Sequence, residues 1–175
     1  MIGQSAQVQR LEGIEATLKD YPDIKVLEQK TANWSRAEAL SLVENWLTAH
    51  PDEIQGIIGE NDEMAIGALE AVKAHGLDPK KIPVAGVDGV TDALLAVQRG
   101  EMMSTLQDAD AQARGAIDLA LGVVRGADYK PQAKVWDVNG GQLAWDGGKE
   151  QQYSVPWVPV TGENVEALLA MRKTQ

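Results

Sequence analysis

Apolar residues fall at helical spacing in some segments and in short unbroken runs in others, and the two kinds alternate along the chain. Val8, Leu11, Ile14 and Leu18 share one face of a predicted helix that Ser5 can cap, and Tyr21, Pro22 and Asp23 end it. Residues 24–27, Ile-Lys-Val-Leu, read as a strand. Ser35 and Glu38 form a capping-box pattern ahead of a helix carrying Leu40, Val43 and Leu47, which stops near Pro51. A strand at 54–58 leads to Asn61, and Asp62 opens a helix that Gly76 closes. Residues 84–87 form an apolar strand that ends at Asp88, and Thr91 can cap a short helix running to Gly100. A strand at 102–106 and a long helix at 110–125 follow. Strands and helices in alternation, joined by short loops, predict an α/β fold: a doubly wound parallel sheet with helices on both faces.

Beyond Gly126 the pattern weakens. Residues 133–138 read as another strand, Asn139-Gly-Gly and Asp146-Gly-Gly as turns, and 156–160 as extended. Thr161 or Asn164 begins a last short helix through Leu169. The expected division is a main α/β unit at 1–107, a crossing segment at 108–155 and a returning tail at 156–175. A doubly wound unit opens with a strand feeding its first helix. Here only Met1 and Ile2 precede the Gly3-Gln4-Ser5 turn, so the chain reads as starting at the tip of a strand.

Two of the strand ends carry candidate chemistry. Residues just past the carboxyl ends of parallel strands line the ligand crevice. Asn61 and Asp88 are so placed, an amide and a carboxylate facing one cleft. Both bond well to hydroxyls, and neither is a nucleophile with a base beside it. Asn61 also fits a helix cap, and Asp88 in Val-Asp-Gly also fits a plain turn.

Charge and composition narrow the function. Sixteen basic against 26 acidic residues give 16 − 26 = −10, which argues against nucleic acid and anionic membrane as partners. The absence of cysteine excludes thiol catalysis, disulfides and cysteine-ligated metal. His50 and His75 stand alone near helix ends and make no metal motif, so neither metal nor cofactor is expected. The acidic pairs Asp62-Glu63 and Asp108/Asp110 sit at helix N-termini, where the dipole accounts for them. Trp46 is spaced to pack with Val43 and Leu47, and Trp136, Trp145 and Trp157 also read as packing residues. No window spans a bilayer, and the N-terminus has neither the basic nor the apolar region of a signal peptide, so a chain made from Met1 as written is expected to stay in the cytoplasm.

Five segments in order carry a family resemblance. They are Ser5-Ala-Gln-Val-Gln-Arg10-Leu-Glu-Gly13, Thr31-Ala-Asn-Trp34-Ser-Arg36, Asn61-Asp-Glu-Met-Ala-Ile-Gly-Ala68, Gly86-Val-Asp88-Gly89 and Ser104-Thr-Leu-Gln107. Together the segments resemble the C-terminal lobe of periplasmic sugar-binding proteins, the ribose-binding-like, type I solute receptors of ABC importers. The resemblance implies a flavodoxin-like lobe that closes on a monosaccharide or polyol against an N-terminal lobe, which should precede Met1 and is absent. It implies a non-enzymatic, periplasmic receptor that meets the importer's membrane subunits. By the same resemblance Arg10, Trp34, Asn61, Asp88 and Gln107 bind the ligand, and the helix from Asp110 and the segment near Val135 belong to the other lobe. These residues suit a sugar: an indole covers the apolar C–H face, Arg10 donates in a fork, and Asp88 accepts from adjacent hydroxyls. Repressors of the lactose-repressor type share the Asn-Asp pattern, so the effector domain of a sugar-responsive regulator is the alternative. With no partner lobe, the apolar helix face of Ile117, Leu121 and Val124 would be uncovered, and a homodimer is expected to relieve it.

Overall fold

Three short apolar runs build the sheet. In the computed structural model, which describes residues 2–138, 143–150 and 152–173, strands β1 (Ile57–Ile58), β2 (Val84–Val87) and β3 (Met103–Leu106) pair in parallel, Ile57 opposite Val84 and Ala85 opposite Met103. With β4 (Val158–Val160) the order is β1-β2-β3-β4. Helices α1 (Ser5–Leu18) and α2 (Arg36–Ala49) precede β1, α3 (Asp62–Ala74) and α4 (Thr91–Gln98) lie between the strands, and α5 (Ala109–Arg125), α6 (Val135–Val138) and α7 (Val165–Lys173) complete the chain. The chain separates into two units, residues 1–105 with 160–175, and residues 106–159.

In the first unit, α2 and α3 form the tightest helix pair. Their buried faces, Val43 and Leu47 against Ile66, Leu69 and Val72, join Val84, Ala93 and Met102 in one core. Gly67 permits the close approach: a Cβ there would overlap the Arg36 carbonyl oxygen and sit 3.0 Å from the Leu40 nitrogen. The sheet is covered unequally. Ile57 and Val84 are buried, whereas Ile58 and Met103 are 58% and 54% exposed. Local signals set several helix ends as the sequence predicts. Ser35 accepts from the Glu38 N–H, and Asn61 accepts from the Met64 N–H at 2.9 Å. Gly76 takes φ +72° past α3, where the Leu77 N–H reaches back to the Val72 carbonyl in a Schellman closure.

Other expectations fail, each for a physical reason. Residues 24–27 are not a strand: Ile24 and Val26 are more than half exposed. An extended segment becomes a strand only where a neighbour takes up its N–H and C=O groups. Ser5 and Thr91 do not cap, since Gln4 and Val90 hold those positions without a side-chain bond. His50, which reads as standing alone, has its Nε2 3.2 Å from a Glu28 carboxylate oxygen. Glu63 is more than a dipole charge. Arg36 at the start of α2 bonds it at 2.9 Å and also reaches Asp92 on α4.

The second unit turns on a buried carboxylate. Gly115, Asp118 and Gly122 lie along one face of α5 and admit Val135, Trp136 and Trp145. Asp118 accepts from Tyr129 Oη at 2.7 Å, from the backbone N–H groups of Gln132 and Ala133, and from Trp136 Nε1 at 2.8 Å. This wraps residues 129–136 around α5 and ends in the single turn of α6, so the strand expected at 133–138 is a loop and a short helix. Burial pushes the Asp118 carboxyl up, but its donors together hold it below the usual carboxylate range. Ile117 and Val124 point away from this face, at 60% and 82% exposure. The turn expected at Asn139-Gly-Gly lies outside the described residues, and Gly147 and Gly148 take positive φ after Asp146. Asp118→Ala would leave buried donors unpaired and is expected to cost the second unit about 3 kcal/mol. Faster hydrogen exchange at the Ala133 amide, with loss of the near-ultraviolet tryptophan signal, is the check.

Candidate functional site

The parallel strands β1 and β2 each end short of a candidate residue. Asn61 follows the end of β1, Asp88 follows β2 at once, and Gln107 follows β3. Asn61 and Asp88 belong to the first unit, and half-buried Gln107 opens the second.

Within the first unit, Arg10 draws the other candidates together. It lies on α1, and its Nη2 donates to Asp88 Oδ1 at 3.1 Å. Its Nη1 donates to the Glu60 carbonyl, one residue before Asn61. Its guanidinium carbon stands 5.8 Å from the centre of the Trp34 ring, within cation–π range. The Arg10 side chain is 14% exposed and that of Asp88 32%. This is a partly sheltered ion pair rather than a solvated one.

The backbone is bent to present these groups. Asn33 and Trp34 both take positive φ, +50° and +62°, and Asp88 takes φ +122°. Such conformations cost an L-residue of order 1–3 kcal/mol each and concentrate at functional sites. Trp34 is steadied by its Nε1, which donates to Gln4 Oε1 at 2.6 Å. Asn61 uses its Oδ1 to cap α3, which fixes the side chain while it is 8% exposed.

Electrostatics follow from enclosure. Burial raises the Asp88 carboxyl above its ordinary range, against the pull of Arg10 beside it. Burial also raises Glu60, again opposed by Arg10. Asp62, wholly buried, is raised by burial against three hydrogen bonds that favour its charged form. Among the described residues, no group of three or more histidine, aspartate or glutamate side chains is placed to hold a metal ion. What the cluster offers is a fork of donors, a carboxylate, an amide and an aromatic face.

Asp62 is the residue that sequence reasoning misjudged. Its helix-start position suggests a dipole charge, yet it is 0% exposed and bonds Gly89, Val90 and Ser104. Those partners lie 27, 28 and 42 residues away, so no local pattern announces them.

Comparison with known proteins agrees with this architecture. Residues 1–128 match the profile of the periplasmic binding protein domain. The xylitol-binding protein of Mycolicibacterium smegmatis is 38% identical over 130 residues, covering 74% of this chain and 37% of that protein. A putative rhizopine-binding protein of Rhizobium meliloti is 42% identical over 104 residues, 59% of this chain and 33% of that protein. The crystal structure of an ABC transporter solute-binding protein from Bacillus halodurans with bound myo-inositol superposes with a TM-score of 0.76 at 30% identity, covering 97% of this chain and 51% of that one. The chain therefore spans about half the length of that solved structure and about a third of the curated relatives. A domain match over residues 1–128, with relatives and fold in accord, means that the chain belongs to the periplasmic binding protein domain family.

Proposed function

We propose that the first unit is the C-terminal, sugar- or polyol-binding lobe of a solute receptor for an ABC importer, working in the periplasm. The observation that carries this reading is the Arg10–Asp88 pair at the end of β2, with Arg10 over the face of Trp34 and beside Asn61's strand end. A polyhydroxylated ring needs an apolar platform and charged partners around its rim, and charge-assisted bonds are roughly twice as strong as neutral ones. The relatives' named ligands, xylitol in one and myo-inositol in another, are of this chemical class. Gln107 would add a further amide, and the second unit would belong with the opposing lobe. Asp88 is engaged by arginine rather than set beside a nucleophile, so the site binds without turnover. The exposed face of Ile117 and Val124 favours association with the opposing lobe, or with a second copy when that lobe is lacking.

A lone lobe leaves part of the ligand in water, where each net hydrogen bond contributes only ~0.5–1.5 kcal/mol. Saturable binding near the millimolar range is therefore expected. The test is an amide-resolved NMR titration of the chain with xylitol, myo-inositol and D-ribose. Saturating shifts centred on Trp34, Asn61 and Asp88 are expected with at least one of them. Shifts centred elsewhere, or none at high ligand concentration, would overturn the proposal.

A further inference from the structure

We infer that Asp62 is a positioning residue for the site: its buried carboxylate holds Asp88 in the backbone conformation that aims it at Arg10. The inference rests on the reading of Asp88 as a ligand-binding group.

Asp88 leaves β2 through a sharp turn. Its own N–H makes the last ladder bond to the Thr105 carbonyl at 2.9 Å, and then φ swings to +122° at Asp88 and +72° at Gly89. An aspartate does not hold such a φ unaided, so the surroundings must impose it. What imposes it is Asp62 on α3. Oδ2 accepts from the Gly89 N–H at 2.6 Å and the Val90 N–H at 2.9 Å, the two amides that follow Asp88. Oδ1 accepts from Ser104 Oγ at 2.7 Å, which ties the carboxylate to β3. One side chain thus ties the start of α3 to the turn after β2 and to β3. It also bonds the entry to α4, where Val90 holds the cap position with no side-chain bond of its own.

The room for this group is built in. A Cβ at Gly86 would overlap Asp62 Oδ1 and lie 2.7 Å from Met102 Cε. Both Oδ2 partners are donors, which suits an ionised carboxylate, and charge-assisted bonds to backbone N–H groups are the strong kind. An ionised carboxylate is acceptor-only, so it can satisfy all three donors at once.

The experiment compares Asp62→Asn, Ser104→Ala and the core variant Leu69→Ala with the wild type by NMR. Two readouts are taken: the three-bond HN–Hα coupling of Asp88, which reports its φ, and the affinity for myo-inositol. Asp62→Asn keeps the shape but loses the charge. It is expected to shift the Asp88 coupling, to move the Gly89 amide upfield and to weaken binding about tenfold. Ser104→Ala removes one tie and is expected to act in the same direction by about twofold to threefold. Leu69→Ala destabilises the fold without touching the turn, so both readouts should stay at wild-type values. An unmoved Asp88 coupling in Asp62→Asn overturns the inference, as does an equal shift in Leu69→Ala. If Asp62→Asn fails to fold, an unmoved coupling in Ser104→Ala overturns it instead. Should the wild type bind no myo-inositol, the titration with the other polyols decides the functional reading separately, and the Asp88 coupling still decides the role of Asp62.

Discussion

Asp88→Ala is expected to reduce sugar or polyol binding by about 1.5–3 kcal/mol, roughly 10-fold to 150-fold, enough to erase saturable binding by the chain. The substitution removes the charged acceptor of the cluster and leaves Arg10 without the carboxylate it bonds at 3.1 Å. Hydroxyls that pointed at Asp88 would then be desolvated without a partner, which costs more than the bond itself contributed. Trp34→Phe is the comparison. Phenylalanine keeps most of the apolar platform and loses mainly the Nε1 bond to Gln4, so a loss below about 1 kcal/mol is expected. Asp88→Asn should fall between the two, since an amide oxygen still accepts but carries no charge. Titration of all three variants with a ligand that the wild type binds is the measurement. Equal losses for Asp88→Ala and Trp34→Phe would mean that stacking, not the carboxylate, dominates the site.

Gly67→Val is expected to be the most damaging single change to the first unit, lowering stability by about 3 kcal/mol. Two effects oppose each other. Removing a helix-interior glycine favours the helix, by at most ~1 kcal/mol and less for a β-branched residue. Against this, the new Cβ overlaps the backbone of Arg36, and backbone cannot rotate away as a side chain can. Helix α2 must move off α3, opening the layer where Val43 and Leu47 meet Ile66 and Leu69. Overpacking wins. Gly13→Ala on α1 is the control, because nothing lies within 4 Å of its Cβ position and only the propensity gain remains. Urea unfolding followed by circular dichroism should show a lower midpoint for the first variant and an unchanged or higher one for the second. A Gly67→Val midpoint at the wild-type value would refute the close-packing argument.

Much of this was written locally in the chain. The capping of α2 by Ser35 and of α3 by Asn61, the closure of α3 at Gly76 and the parallel alternation of elements depend on spacing and short-range chemistry, which a sequence displays directly. The strand-end rule likewise predicts Asn61 and Asp88 beyond the carboxyl ends of two strands, and they follow β1 and β2. What the sequence could not decide depended on partners far away in the chain. Residues 24–27 have the composition of a strand, yet strandedness belongs to a pair of segments, and here the Ile24 N–H turns back to the Tyr21 carbonyl instead. Residues 133–138 have a strand's composition too, but Asp118 takes the Gln132 and Ala133 N–H groups and curls the chain. Asp62 reads as an ordinary helix-start acid. Only folding puts the amides of Gly89 and Val90 and the hydroxyl of Ser104 around it, because burial and hydrogen-bond pairing are properties of the assembled core and not of neighbours in sequence.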